Sequence, residues 1–142
     1  MAKTLHGDRM AGFKLPVNLG QLASGATNTT QDEARFVAPH DMKLEAAYAI
    51  FIAALTGGHA TNYTKFKLIN VGTAGAGTVE MASLSFTSGI TVAADTPKAF
   101  TLNTTAANLL LSAGEAVQLV ALPLESGLAY PIGNFSAHFT MQ

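Results

Sequence analysis

Four histidines, His6, His40, His59 and His138, are the residues best able to hold a metal ion in a chain that contains no cysteine. They occur singly, and His138 is flanked by Ala137 and Phe139 where a cupin-like metal site would want a second imidazole two positions away and a carboxylate nearby. Solvent-facing or interfacial roles are expected for them. Nucleophilic catalysis needs a Ser, Thr or Cys beside a base, and no Ser lies in a Gly-x-Ser-x-Gly elbow. The run Gly72-Thr73-Ala74-Gly75-Ala76-Gly77 has the look of a phosphate-cradling loop, but no Lys-Ser/Thr and helix follow it, so it reads as a hairpin connection. Asp41 with Glu45, and Asp95 alone, form no carboxylate pair suited to glycosidic chemistry. The expectation is a protein that is not an enzyme and takes no cofactor and no metal.

The elements that would position any site are strands. Met42, Leu44, Ala46, Tyr48, Ile50 and Ile52 recur at a period of two, which predicts a strand with these side chains on one face; Ala47, Ala49 and Phe51 make the other face apolar towards its end, so that half of the strand is expected to be covered on both sides. Tyr63–Asn70 places Phe66 and Leu68 on one side and Lys65 and Lys67 on the other. In Val79–Phe86 the large apolar residues switch parity between Met81 and Leu84, and a β-bulge near Ala82-Ser83 would return both to the core. Phe135, Ala137, Phe139 and Met141 alternate cleanly with Ser136, His138 and Thr140. Thr104 to Ser112 fits either a helical turn or a strand. The expected core comprises Phe36, Leu44, Tyr48, Ile50, Phe66, Leu68, Leu84, Phe86, Phe100, Leu102, Leu119, Phe135 and Phe139. Short strands divided by Gly, Asn and Pro loops indicate an antiparallel all-β sandwich or barrel.

Composition narrows the partners. The 142 residues suit one domain, and only 12% of them are charged while 49% are apolar. Few charges must then cover an exterior rich in Ala, Thr, Ser, Gly and Asn, and such surfaces tend to associate. The eight Lys and Arg residues are scattered and net charge is −1, so no nucleic acid is expected as a partner. The longest apolar run, Met42 to Leu55, is short for a bilayer and carries Lys43 and Glu45, so no membrane is expected either. The first residues lack the apolar core of a signal peptide, which predicts a soluble protein made in the cytosol.

The first third of the chain differs from the rest. Between Ser24 and Glu33 only Ala26 is apolar, so this stretch can bury little of itself. Residues 1–33 are therefore expected to form an extended assembly arm, followed by a domain over 34–142. Within the arm, Phe13, Leu15, Val17, Leu19 and Leu22 are candidate interface residues, suited to a strand added to a neighbouring sheet. Pro16 would interrupt a central ladder, which sends this strand to an edge or against a partner. The alternative is a first strand folded back on its own domain. A chain beginning at Thr30 distinguishes the two, since loss of an arm would leave thermal unfolding unchanged. Gly72, Gly75 and Gly77 complete the candidate interface.

From Arg35 onward the sequence resembles the small capsid cement, or head decoration, proteins of tailed bacteriophages. The resemblance rests on Phe36-Val37-Ala38-Pro39-His40-Asp41, the long apolar strand, the stretch Leu68 to Thr78, Ala113-Gly114-Glu115, Gly127-Leu128-Ala129-Tyr130-Pro131 and the closing Phe135 to Met141. It implies a jelly roll of two antiparallel sheets, bound as a homo-oligomer to the major capsid protein on the outer surface of an icosahedral virion. A dimer is favoured and a trimer is possible. The alternative function is a carbohydrate- or receptor-binding jelly-roll module, for which Tyr48, Tyr63 and Tyr130 are the available aromatic side chains, with Tyr48 expected to be buried.

Overall fold

The computed structural model describes residues 12–142. Their strands are β1 (Lys14–Leu22), β2 (Gln31–Val37), β3 (Met42–Phe51), β4 (Leu55–Thr56), β5 (Tyr63–Gly72), β6 (Val79–Ser85), β7 (Thr91–Val92), β8 (Lys98–Ala99), β9 (Thr101–Leu102), β10 (Leu110–Leu111), β11 (Ala116–Leu124) and β12 (Gly133–Met141). The segment with two readings is divided between them: a 3₁₀ turn over Ala106–Leu109 runs straight into β10.

Sheet 1 runs β1-β12-β3-β10, with β8 also on β3, and sheet 2 runs β2-β11-β5-β6-β9. Every ladder is antiparallel; β1, β2, β3 and β5 alternate between the two sheets, β5 and β6 form a hairpin within sheet 2, and β10, β11 and β12 alternate again. This interleaving is the jelly-roll order, so the expected fold class holds. The sheets are joined by a cluster of rings. Phe51 and Phe135 of sheet 1 meet Phe66 of sheet 2 at 5.5 and 5.6 Å between centroids, and Phe36 of β2 stacks on Phe139 of β12 at 5.4 Å. Tyr130 closes the cluster 5.0 Å from Phe66, with its ring over Gly25, where any Cβ would lie 2.2 Å from a ring carbon. Gly25 and Tyr130 also exchange two backbone hydrogen bonds. Only glycine fits there.

Two expectations need correction. The first concerns the arm: Lys14–Leu22 is the edge strand of the domain's own sheet, paired along β12. Leu19 and Leu22 are fully buried, and Leu15 and Val17 pack against the core, so these four are core and not interface residues. The polar stretch likewise ends early, because Gln31, Asp32 and Glu33 already belong to β2 and pair with β11. The composition argument overlooked that a strand's backbone can be satisfied by a ladder whatever its side chains are. The part of the expected arm before Gly12, including His6, lies outside the described residues.

The second concerns β3. His138 pairs with Ala46 and Phe139 with Leu44, which leaves Glu45 as the extra residue of a bulge. One inserted residue exchanges the faces of everything beyond it. Met42 and Leu44 therefore point inward as expected, but the core then takes Ala47, Ala49 and Phe51, while Ala46, Tyr48 and Ile50 turn outward and are only half-buried. In β6 a bulge does what the parity switch required, one position early: Leu68 pairs with Ala82 and Ile69 with Glu80, so Met81 is the extra residue. Met81 and Leu84 are both buried.

The open edges are blunted. The amide of Met141 donates to Phe13 O, so alternate residues of β1 face β12, and Pro16, opposite His138, lies where its missing N–H would face away. Next comes a bulge at Leu19, and the Gly20 amide beyond it is taken by Asn18 Oδ1 at 2.8 Å. On β2 the bulged residue is Arg35, whose guanidinium lies over Gly20 and pairs with Glu33 at 2.6 Å. Charge, bulge and proline are the usual means of refusing an added strand.

Candidate docking end of the sandwich

Three connections meet at one end of the sandwich. Residues 38–41 join β2 to β3, residues 73–78 join β5 to β6, and residues 112–115 join β10 to β11. They contain the Pro39-His40-Asp41, Gly72–Gly77 and Ala113-Gly114-Glu115 motifs. Turn chemistry shaped these segments locally, and tertiary hydrogen bonds tie them together. The Ala38 amide donates to Glu115 O and the Gly114 amide to Ala38 O, each at 2.8 Å. The Ala113 amide donates to Asp41 Oδ1 at 2.9 Å. Glu115 Oε2 accepts from the Ser112 amide and from Asn70 Nδ2, both at 2.8 Å, and Asn70 Oδ1 accepts from the Gly72 amide at 2.8 Å. Gly114 is at φ +88°, which an L side chain resists. The carboxylates of Asp41 and Glu115 thus hold backbone.

This framework presents apolar side chains to solvent. Of the five large apolar residues that are exposed among the described residues, Phe13, Val37, Val79 and Leu110 all lie at this end and Ile52 lies at the other. Phe13 precedes β1, Val37 ends β2, Val79 begins β6 and Leu110 begins β10. A shallow hollow of about 200 Å³ opens between Asp41, Leu110, Ser112 and Gln142. An exposed Leu or Val alone means little, but a group around loops held rigid is the anatomy of a contact surface.

Among the expected interface residues, Phe13, Gly72, Gly75 and Gly77 are brought to this end. Leu15, Val17, Leu19 and Leu22 are not. Sequence reasoning missed Val37, Val79 and Leu110, and it gave Asp41 and Glu115 no role in holding the loops. It also counted Tyr130 as an available platform, whereas the ring is buried; Tyr48, expected inside, is half-exposed. His40 and His59 are exposed in loops, and no three His, Asp or Glu side chains gather as a metal set among the described residues. On the outer face of sheet 2, burial raises the proton affinity of Glu80. The hydrogen bond from Lys65 and the charges of Lys65 and Lys67 more than offset this, and the carboxyl stays below its ordinary range.

The loop framework is open to test. Glu115→Ala removes the acceptor of the buried Asn70 amide and of the Ser112 N–H, and should cost about 1–3 kcal/mol. Glu115→Gln retains a carbonyl oxygen and should cost less. Thermal unfolding reads both, and an Ala variant that melts like the parent would show that this carboxylate does not hold the loops.

No family model matches the chain and no curated protein does. Among solved structures it is similar to a chain in the structure of infectious bursal disease virus, Gx strain, with a TM-score of 0.45 and 11% identity. The similarity covers 91% of this chain but 33% of that one, so this chain spans a third of the length of the chain it matches.

Proposed function

We propose that this chain is a non-enzymatic structural protein of a virus particle, a cement protein that decorates the outside of a tailed-bacteriophage head and ties neighbouring major capsid subunits together. The observation that carries the reading is the loop-bearing end, where Phe13, Val37, Val79 and Leu110 are exposed around loops fixed by Asp41 and Glu115. The motifs that resemble the cement proteins supply these same loops. The scarcity of charge supports it too, since a weakly charged exterior suits a protein that works while covered.

The mechanism is additive adhesion. A specific interface removes about 1,600 Å² from water, and ordering costs absorb much of the gain, so one contact is modest. Repetition across a closed shell links many contacts and makes detachment cooperative. The benefit to the shell is resistance to the outward pressure of packaged DNA.

Co-sedimentation with preformed, expanded heads that lack decoration tests this. The parent should bind, and Val37→Asp or Leu110→Asp should weaken binding about tenfold or more, because each places an unpaired charge in the contact. Ile52→Asp, at the opposite end, should bind as the parent does. Failure of the parent to bind, or sensitivity at Ile52 alone, would overturn the assignment.

A further inference from the structure

The margin of the sandwich away from β1 and β2 carries one stretch of chain that serves both sheets. Lys98–Ala99 lies on β3 of sheet 1, and after Phe100 the chain crosses to sheet 2, where Thr101–Leu102 lies on β6. Successive residues of an antiparallel strand turn their main-chain groups to opposite sides, so one observed bond fixes the direction of its neighbours. The Phe86 amide donates to Thr64 O of β5, so Leu84 and Phe86 face β5 while Ser83 and Ser85 face away from it, toward β9. The Phe100 amide donates to Ala47 O of β3, so Lys98 and Phe100 face β3 while Ala99 and Thr101 face away from it.

Thr101 meets Ser83. Two residues further the same register would set Ala99 against Ser85, amide to carbonyl in both directions. The crossing at Phe100 ends the ladder first, and the main chains of Ser85 and Ala99 have no main-chain partner among the described residues. These two halves of an unmade pair border one cleft of about 500 Å³, together with Ser83, Thr87, Lys98 and Thr101. That volume lies in the range of ligand-binding clefts, about 300–1,000 Å³. Lys98 is half-buried on the border and takes part in no ion pair among the described residues.

We infer that this cleft takes a short extended segment of another protein, which enters between Ser85 and Ala99, hydrogen-bonds to both main chains and sets an acidic side chain against Lys98. The occupant is a main chain because an extended strand offers donors and acceptors on both of its edges, as the two unmatched halves require. A sugar could answer the hydroxyls of Ser85, Thr87 and Thr101 but has no such alternation. The segment is short because β8 and β9 have two residues each, which gives the edge of a whole sheet nothing to extend. This site is separate from the loop-bearing end and does not rest on the cement reading.

Titration of the full chain with the blocked peptide acetyl-Thr-Val-Asp-Val-Thr-amide, followed by amide NMR, tests the inference. The peptide should bind with a dissociation constant of about 1 mM or tighter and move the amide signals of Ser85 and Ala99. Exchanging its Asp for Lys should weaken binding about tenfold, and Lys98→Glu should reverse the preference between the two peptides. The same peptide N-methylated at every residue keeps its side chains and loses its donors, and it should not bind. Signals of Ser85 and Ala99 that stay in place would overturn the inference, as would binding indifferent to N-methylation or to Lys98→Glu. Glucuronate is the competing probe, and a sugar acid that moves these signals at lower concentration than the peptide would also overturn it. Val37→Asp should bind the peptide as the parent does, so failure at this cleft and failure at the loop-bearing end are distinguishable.

Discussion

Phe66→Ala should lower folding stability by about 3–5 kcal/mol, the range for emptying a close-packed aromatic site. Phe66 is fully buried on β5, and its ring stands within 6 Å of four others: Phe51 at 5.5, Phe86 at 5.9, Tyr130 at 5.0 and Phe135 at 5.6 Å. Two of these, Phe51 and Phe135, are reached at a tilt across the space between the sheets, so truncation removes the side chain that joins them. Ring pairs add about 0.5–1.5 kcal/mol each beyond the area they bury. The neighbours cannot collapse into the gap without moving strands held by ladders on both sides. Urea unfolding should show a lower midpoint at an unchanged slope, which is the mark of lost stability without a change in the unfolded chain. Phe36→Ala, at a half-buried position with one ring partner, should cost distinctly less. Equal costs at the two sites would show that the ring cluster is not the centre of the core.

A chain beginning at Thr30 should unfold far more readily than one beginning at Gly12. This is the reverse of what an arm requires, and the reason is β1. Removing it takes Leu19 and Leu22 out of the core and uncovers β12 along its whole length. Burial of each leucine contributes about 1.5–3 kcal/mol, so the pair accounts for about 3–6 kcal/mol of a total near 5–15 kcal/mol. The midpoint should fall by about 10–25 °C, or the shortened chain should fail to fold at all. The chain beginning at Gly12 keeps β1 and serves as the reference. Equal melting of the two would return β1 to the status of an arm.

The limits of the sequence reading have physical causes. β12 alternates apolar and polar residues without a break because one of its faces is solvated, so its register was legible. Pro16 named an edge because the consequence of a missing donor is local. In β3 the alternation of Met42, Leu44, Ala46, Tyr48 and Ile50 was real but misleading, since both faces are rich in apolar side chains. A bulge is a property of two strands, and nothing in the residues around Glu45 records what β12 does opposite them. β6 was read correctly because its parity conflict, Met81 against Leu84, could be resolved in no other way. The docking end was half legible. The loops announce themselves by Gly and Pro, but Val37, Val79 and Leu110 look like any strand residue until the topology shows that nothing covers them. Asp41 and Glu115 grip backbone brought from other strands, and no spacing along the chain encodes that.

The position of β12 fixes the order of events at the ribosome. It lies between β1 and β3, so the earliest described strand has no partner until residues 133–141 have been made. Until then β1 has no ladder partner in sheet 1, whereas β3 can already pair with β8 and β10. Pairing of such distant segments is slow, on the order of milliseconds to seconds once the whole chain is free. Through that interval β1 already carries its proline, and β2 its charges, which discourage pairing with the wrong chain while the right strand is still being made.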